Sequence, residues 1–218
     1  MPSNVTWAKI LQESIDKYPK EKTASIASVA SLNPLKLNNR CVIPRKIYYP
    51  KTSSQPVLIS TTDARASKTS HFLNVSPATS LVWWFPTPNT QFRLNGTCRI
   101  VQAGEKDSEW EDVRVGLWKE MSPFMRGTFG RKPEGGPGSH MDSYEQGKDW
   151  PTKLGAEPEE EDNSKERDLI AYARDNFALL VIEPTLVDFA ELGVIPNQRT
   201  VYTLNEKSDE WDSEIQCP

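Results

Sequence analysis

Five basic or hydroxyl-bearing residues in the first third of the chain have the chemistry of an anion site. Guanidinium groups bind phosphate oxygens through paired hydrogen bonds, and a lysine and a hydroxyl each add a further donor. Residues 64–68 are predicted to lead into a short helix, whose first backbone N–H groups lack partners within the helix. Together these donors could hold a dianion, with ordinary surface charge as the alternative interpretation. The five residues are Arg40, Arg45, Arg65, Ser67 and Lys68.

A second polar group follows a run of aromatic residues. Gln91 and Arg93 alternate on a predicted strand, so their side chains share one face of it. They could offer an amide and a cation to a flat polar ring, or they could face water. The preceding Trp83 and Trp84 are predicted to lie in the core, because aromatic pairs on strands usually pack there.

Other catalytic chemistry has little support in the sequence. The three cysteines (Cys41, Cys98 and Cys217) are widely spaced, and with only two histidines they argue against a zinc site and a disulfide framework. Buried, reduced thiols are the expectation. The GxSxG, P-loop and GxGxxG motifs are absent. If the chain is an enzyme, we therefore expect a cofactor to carry the difficult chemistry.

Charge is distributed unevenly along the chain. The net charge of −4 argues against general nucleic-acid binding. Six basic residues lie between Arg40 and Lys68 against one acid, whereas six acids between Glu157 and Glu166 predict a solvated loop. No segment approaches the ~18 consecutive apolar residues of a transmembrane helix, and the first ten residues lack a secretory signal. The predicted location is the cytoplasm, with the nucleus as a second candidate.

The elements that must position these residues are mostly strands. Helical spacing of apolar residues predicts helices at Thr6–Tyr18, capped by Thr6 or Asn4, and at Lys68–Asn74, Glu109–Met121 and Lys165–Asp175. Leu32–Asn39 is predicted to be a connection, and Gly127–Glu166 a long loop rich in glycine and proline. The predicted strands are Thr23–Ala30, Cys41–Tyr49, Pro56–Thr62, Ser80–Phe85, Gln91–Gln102, Phe177–Pro184, Arg199–Leu204 and Glu210–Ile215.

The order of these elements predicts a mainly β protein with flanking helices. Seven or eight strands without regular βαβ alternation are typical of an antiparallel barrel or sandwich, and 218 residues fit one domain. Pro44 predicts an edge, a bulge or a barrel corner within its strand. Gly96, inside a long strand, predicts a bend or a close approach of another backbone segment.

The order and spacing of several motifs resemble the pyridoxamine 5′-phosphate oxidase-like split barrels that bind flavin mononucleotide (FMN). The similarity is strongest to the stand-alone cyanobacterial and eukaryotic branch, including its fungal members. It covers nearly the whole chain. The residues that carry it are Trp7, Arg40–Arg45, Thr62–Lys68, Trp83–Pro86, Gln91–Gly96, Trp118, Ser122, Arg126, Phe129, Pro133, Arg199, Tyr202, Trp211 and Pro218.

This resemblance implies an antiparallel split β-barrel and assigns roles to individual residues. Its FMN-binding set is Arg40, Val42, Arg45, Thr61, Thr62, Arg65, Ser67, Lys68 and Gln91. The basic residues and Ser67 would hold the phosphate and ribityl chain, and the two threonines would lie beside the ring. Gln91 would come from the partner subunit of a homodimer. Arg199 and Trp211 would lie on the substrate side of the flavin.

The resemblance also implies an activity, but it does not identify the substrate. Family enzymes transfer hydride from a substrate carbon to flavin N5, which makes an FMN-dependent oxidoreductase acting on a small molecule the leading hypothesis. The alternative is a non-catalytic FMN-binding protein with a redox-sensing, storage or scaffold role. Pyridoxamine phosphate oxidases carry an arginine just before their last residues, whereas Glu214–Pro218 contains none.

Overall fold

The computed structural model describes residues 5–132, 136–159 and 163–218. The helices in these ranges are α1 (Thr6–Lys17), α2 (Ser67–Asn74), α3 (Ser108–Glu120), α4 (Pro123–Phe129), a 3-10 helix (Tyr144–Gly147) and α5 (Ser164–Asn176). The strands are β1 (Ala24–Leu32), β2 (Leu35–Val42), β3 (Pro44–Tyr48), β4 (Val57–Asp63), β5 (Ala78–Phe85), β6 (Thr90–Val101), β7 (Phe177–Glu191), β8 (Gln198–Asn205) and β9 (Glu210–Ile215).

The chain forms two compact units, each with its own core. The first comprises Met1–Thr61, His71–Arg99 and Leu180–Pro218, and it contains most of the sheet. The second comprises Thr62–Ser70 and Ile100–Leu179, and it contains α3, α4 and α5. That the chain acts as a single domain stays a prediction.

The nine strands form one antiparallel sheet that is not closed. Their order is β2-β1-β5-β6-β7-β4-β3, with β8 paired to β7 and β9 paired to β8. The two end strands of this order, β2 and β3, are consecutive in the chain and are separated only by Ile43. The two ends of the sheet are therefore joined through a single residue, and the sheet remains split there. This confirms the predicted split barrel.

Pro44 divides what the sequence predicted to be one strand, Cys41–Tyr49. Proline has no backbone N–H to donate to a ladder, which confines it to edges and bulges. The pairing of β3 with β4 indeed shifts register between Pro44 and Lys46. The Ser60 hydroxyl donates to the Ile43 carbonyl at 2.9 Å, which anchors the break. Of the predicted alternatives at Pro44, an edge, a bulge or a barrel corner, the structure shows a register shift on an end strand, whereas the prediction of one continuous strand is wrong.

The core of the first unit is aromatic. In the paired register, Trp83 lies opposite Ala24 on one side and Phe92 on the other. Phe85 stacks on Trp83 with ring centroids 5.1 Å apart, and Phe92 stacks on Phe189 at 4.5 Å. Helix α1 adds Trp7, which is fully buried. The prediction of a core position holds for Trp83, whereas Trp84 on the opposite face is 37% exposed.

The second unit has a separate aromatic cluster. The rings of Trp118, Phe129 and Phe177 contact one another, with centroids 5.2–6.2 Å apart. Arg126 is buried beside them, and its Nε donates to the Leu154 carbonyl at 3.0 Å. These members of the predicted motifs therefore stabilise the unit, since a buried guanidinium requires such carbonyl partners.

Helix ends explain two further differences from the predicted elements. Val5 occupies the cap position of α1 without a side-chain hydrogen bond, so Thr6 is not the cap, and Asn4 lies outside the described residues. Ser122 accepts from the Met125 N–H and starts α4, a helix that was not predicted. Part of the predicted Gly127–Glu166 loop is thus helical, while Pro133 and residues 160–162 lie outside the described ranges.

Two more expectations need correction. Leu32–Asn39 is not a connection, because residues from Leu35 onward pair with β1 as the second strand of a tight hairpin. Such pairing needs only cross-strand hydrogen bonds, so polar residues can form an exposed edge strand without an apolar pattern. Among the free thiols, Cys98 is buried as predicted, but Cys41 and Cys217 are exposed. No described helix is long and apolar enough to cross a membrane.

Candidate functional site

Arg45 is directed to Thr61 by the bulge after Pro44. The bulge leaves Arg45 without a direct partner in the β3–β4 register. Its Nε donates to the Thr61 Oγ1 at 3.2 Å. The guanidinium is partly buried, and this loss of hydration lowers the pKa of Arg45 from its ordinary value. A partly desolvated cation of this kind is stabilised by any anion that reaches it.

Arg40 lies on the other end strand and is exposed. It stands opposite Ile26 in the β1–β2 register, and its Nη1 donates to the Asn39 carbonyl at 2.8 Å. Val42, two residues later, is buried. The predicted strand Cys41–Tyr49 began directly after Arg40 and contained Arg45, but the break at Ile43 places the two arginines on two strands at opposite ends of the strand order.

In the second unit, Arg65 is engaged by protein groups. Its Nε and Nη2 donate to the two Asp63 carboxylate oxygens at 2.9 and 2.6 Å, and its backbone N–H also donates to Asp63. The Nη1 donates to the Arg131 carbonyl at 2.6 Å and to the Tyr172 hydroxyl at 3.1 Å. The hydrogen bond with Asp63 raises the pKa of Arg65, although burial opposes it.

The start of α2 is fixed by the same aspartate. The Ala66 N–H donates to the Asp63 carbonyl at 3.0 Å, and the Thr69 hydroxyl donates to that carbonyl at 3.1 Å. Ser67 is the first residue of the helix and is exposed, Lys68 follows half-buried, and Thr62 before the turn is buried. The segment is therefore rigidly shaped, with Ser67 facing outward at its helix start.

Gln91 and Arg93 share a face of β6, as predicted. They stand opposite Trp84 and Val82 of β5, and both are half-exposed. Arg93 is not directed to water alone, because its Nη2 lies 3.1 Å from an oxygen of Asp188. No described contact engages the Gln91 side chain, so its amide is available to a ligand or a partner.

Arg199, the predicted substrate-side residue, shares that buried aspartate. Its Nε and Nη2 donate to the two oxygens of Asp188 at 3.0 and 2.9 Å, and its Nη1 donates to the Cys217 carbonyl at 3.3 Å. Asp188 is only 6% exposed. Hydrogen bonding to Asp188 raises the pKa of Arg199. Asp188 thus neutralises both Arg199 and Arg93.

Trp211 is fixed by packing. Its ring meets that of Trp7 edge-on at 5.5 Å, and its Nε1 donates to the Gln55 Oε1 at 2.6 Å. It pairs with Leu204 in the β8–β9 hairpin. These contacts give Trp211 a packing role in the hairpin, and its place on the substrate side of the flavin stays a prediction.

Sequence reasoning missed the two carboxylates that organise these arginines. Asp63 was present in the predicted Thr62–Lys68 motif, but nothing local showed that it would hold Arg65. Asp188 interrupts an otherwise apolar stretch of β7, and such an isolated charge on a predicted core strand was the available signal.

Comparison with known proteins shows what the fold and the first half of the sequence are similar to. Residues 4–102 match the family model described as pyridoxamine 5′-phosphate oxidase, FMN-binding domain. A pyridoxamine 5′-phosphate oxidase-related, FMN-binding protein from Nostoc punctiforme PCC 73102 aligns over 98% of both chains, with a TM-score of 0.74 and 24% identity. PhzG from Burkholderia lata 383, in complex with tetrahydrophenazine-1-carboxylic acid, aligns over 100% of this chain and 94% of its own, with a TM-score of 0.65 and 13% identity. No curated protein matches the chain.

The open antiparallel sheet with its flanking helices gives the chain a split-barrel fold like that of the Nostoc punctiforme protein. Residues 4–102, slightly less than half of the chain, are similar to the FMN-binding domain that the pyridoxamine 5′-phosphate oxidase family model describes. Membership of the fungal branch stays a prediction.

Proposed function

We propose that this chain is a flavoprotein that binds FMN. The observation that carries the proposal is the state of Arg45 within a segment that matches an FMN-binding domain model. One of its nitrogens is held by Thr61, while the two terminal nitrogens have no partner among the described residues although the side chain is partly buried. A partly desolvated guanidinium gains from pairing with an anion, so an anionic ligand at Arg45 would stabilise the protein.

The donor set of the chain suits FMN. Arg40, Arg45, Ser67 and Lys68 supply two guanidinium groups, a hydroxyl and an ammonium group, which are the groups that bind a phosphate dianion. Thr61 and Thr62 lie near the end of strand β4, which precedes this helix in the chain. In the proposal they contact the flavin ring, and Val42 packs against it. Bound FMN supplies two-electron redox chemistry.

Arg65 has a different part in the proposal. Because its guanidinium is occupied by Asp63 and by the Arg131 carbonyl, we assign it to holding the turn in shape. Lys68 and Ser67, on the helix that this turn starts, then carry the phosphate contacts.

Within the flavoprotein proposal, an oxidoreductase acting on a small molecule is the leading candidate. Its FMN would lie at the interface of a homodimer, with Gln91 supplied by the partner subunit and Arg199 and Trp211 on the substrate side. Size-exclusion chromatography with light scattering gives twice the monomer mass if this assembly forms. If the FMN-loaded protein is a monomer, the proposal that a partner subunit supplies Gln91 is wrong.

One observation favours the alternative of a non-catalytic FMN-binding protein. Arg199 is paired through both arms of its guanidinium fork with Asp188, which also neutralises Arg93. An anionic substrate at Arg199 would have to displace a buried carboxylate.

Two measurements test these proposals in order. Purified protein is examined for the flavin band at about 450 nm, and flavin-free protein is titrated with FMN. A colourless protein that takes up no FMN would overturn the flavoprotein proposal. Flavin-loaded protein is then assayed for peroxide formation with pyridoxamine 5′-phosphate and other small amines. Turnover supports the oxidoreductase, and tight FMN binding without any turnover supports the non-catalytic role.

A further inference from the structure

Strands β2 and β9 of the first unit each have one edge that no other described strand covers. β2 pairs only with β1, and β9 pairs only with β8. Both strands are mostly exposed. The open edge of a strand presents backbone N–H and C=O groups that can pair with a strand of another chain. These two edges are therefore candidate binding surfaces.

The side chains of the two strands carry opposite charges. β2 contains Lys36 and Arg40 and no acid, whereas β9 contains three acids and no base. The acids, which alternate and so share one face of β9, are Glu210, Asp212 and Glu214. Like charges disfavour the pairing of β2 with a second β2 and of β9 with a second β9. Opposite charges favour the pairing of β2 with β9.

Exposed apolar side chains lie on the other face of β2 and at the end of β9. Leu35 and Leu37 alternate with Lys36 and therefore share the opposite face of β2. Leu32 of β1 stands opposite Leu35 in the hairpin, so it lies on the same face. These three leucines are 63–66% exposed, and Ile215 of β9 is 86% exposed. Exposed apolar groups gathered on one face are typical of a protein interaction site.

The remaining contacts limit which residues of each strand can pair with another chain. The start of β9 lies beside Gln55, whose side chain donates to the backbone just before the strand at 2.7 Å and accepts from the Trp211 indole. No described backbone hydrogen bond joins residues 212–215 to a strand other than β8. In β2, Arg40 is a proposed phosphate contact, which leaves residues 35–38 for a partner.

We propose that residues 35–38 of β2 pair antiparallel with residues 212–215 of β9 in a second copy of this chain. A two-fold axis repeats the contact with the two copies exchanged, which closes the assembly at two chains. The inference rests on the homodimer of the proposed function and names the surface that holds it together.

The antiparallel register brings complementary side chains together. Lys36 lies opposite Glu214, and Leu35 lies opposite Ile215. Side chains that stand opposite each other share a face, so the ion pair forms on one face of the ladder and the apolar pair on the other. Glu214 can accept from Lys36, because its described hydrogen bond, from the Gln216 amide at 3.0 Å, engages only Oε2.

Charge reversal tests this contact by analytical ultracentrifugation of the purified protein. Lys36→Glu and Glu214→Lys each place like charges opposite each other, so the dimer of either variant should dissociate at least tenfold more readily than the wild type. An equal mixture of the two variants restores opposite charges at both contacts and should associate like the wild type. Lys9→Glu makes the same charge change at an exposed position of α1 and should not alter association.

The possible results separate this contact from the rest of the proposed function. A monomeric wild-type protein would overturn both the contact and the homodimer. If folded Lys36→Glu and Glu214→Lys proteins, checked by their melting curves, dimerise like the wild type, the contact is wrong and the homodimer stands. A mixture that stays as dissociated as either variant alone would also overturn the contact. At concentrations that keep the dimer assembled, Lys36 variants should bind FMN normally, so a loss of FMN binding is a separate result.

Discussion

At the scale of single residues, two aspartates decide which arginines remain available to ligands. Asp63 occupies Arg65 within a turn, and Asp188 occupies Arg93 and Arg199 on the sheet. A guanidinium already paired with a carboxylate gains little from a second anion, because its donors are already satisfied. Arg45, held only by a threonine hydroxyl, is the cation best prepared for a ligand.

Removal of a proposed phosphate contact should weaken FMN. Lys68→Ala and Arg40→Ala are each expected to reduce FMN affinity by about 1–3 kcal/mol, the range for a hydrogen bond to a charged group. The measurement is a titration of flavin-free protein followed by flavin fluorescence.

Lys36→Ala provides the matched control, because Lys36 is exposed on the same strand as Arg40. Its FMN affinity should equal that of the wild type. If Lys68→Ala and Arg40→Ala also bind FMN like the wild type, the phosphate assignment is wrong.

The three thiols should differ in reactivity. Burial, with Glu183 nearby, raises the pKa of Cys98 well above its ordinary value. Cys98 therefore stays protonated and unreactive at pH 8, because only the thiolate attacks. Ellman's reagent should titrate exposed Cys41 and Cys217 quickly and Cys98 only after denaturation. Three fast thiols in the folded protein would contradict this burial, and Cys98→Ala should leave the fast phase intact.

At the scale of elements, local backbone rules explain where strands bend and approach each other. Gly96 was predicted to mark a bend or a close approach, and a Cβ there would lie 2.0 Å from the Glu183 carbonyl oxygen and 2.9 Å from the Pro184 Cα. Backbone atoms of β7 cannot move aside as a flexible side chain would. Strand β6 therefore requires glycine at this position, which confirms the close approach.

Two glycine substitutions should have opposite effects on stability. Gly96→Ala is expected to destabilise the protein by about 1–3 kcal/mol or more, the scale of overpacking. Gly116→Ala, on α3 with open space around it, should stabilise it by up to about 1 kcal/mol, since alanine favours helix over glycine. Urea denaturation measures both changes. A Gly96→Ala protein as stable as the wild type would mean that β6 and β7 lie farther apart than described.

At the scale of the whole molecule, residues 4–102 of the split-sheet protein match an FMN-binding domain model, and binding of the proposed ligand should appear in global stability. A ligand that binds only the folded state stabilises it by RT ln(1 + [L]/Kd), about 2.7 kcal/mol at a hundredfold excess over Kd. The same relation makes the melting temperature rise with ligand concentration.

Thermal melts with FMN and riboflavin should therefore diverge. FMN is expected to raise the melting temperature in proportion to the logarithm of its concentration, and riboflavin, which lacks the phosphate, should raise it less at equal concentration. Differential scanning fluorimetry gives both curves. Equal shifts in melting temperature with the two flavins would show that the phosphate contributes nothing to binding. That result would contradict the phosphate-binding roles of Ser67 and Lys68.

Much of the architecture was predictable from local pattern. Apolar spacing located α1, α3 and α5 and most strands, because periodicity is a property of consecutive residues. The apolar pattern did not predict strand β2, because its residues are mostly exposed and cross-strand hydrogen bonds to β1 hold it in place. Gly96 and Pro44 were predictable as special positions, because glycine and proline restrict the backbone wherever they occur.

The anion-binding chemistry of Arg40, Arg45, Ser67 and Lys68 was determined by residue type, and the order of their motifs indicated the family. Which of the arginines stays unpaired was decided only by the tertiary structure. Asp188 pairs with Arg93, and Glu21 accepts from Thr87, although the two residues of each pair lie far apart in the sequence. Such partners depend on register across the sheet, which no local pattern encodes.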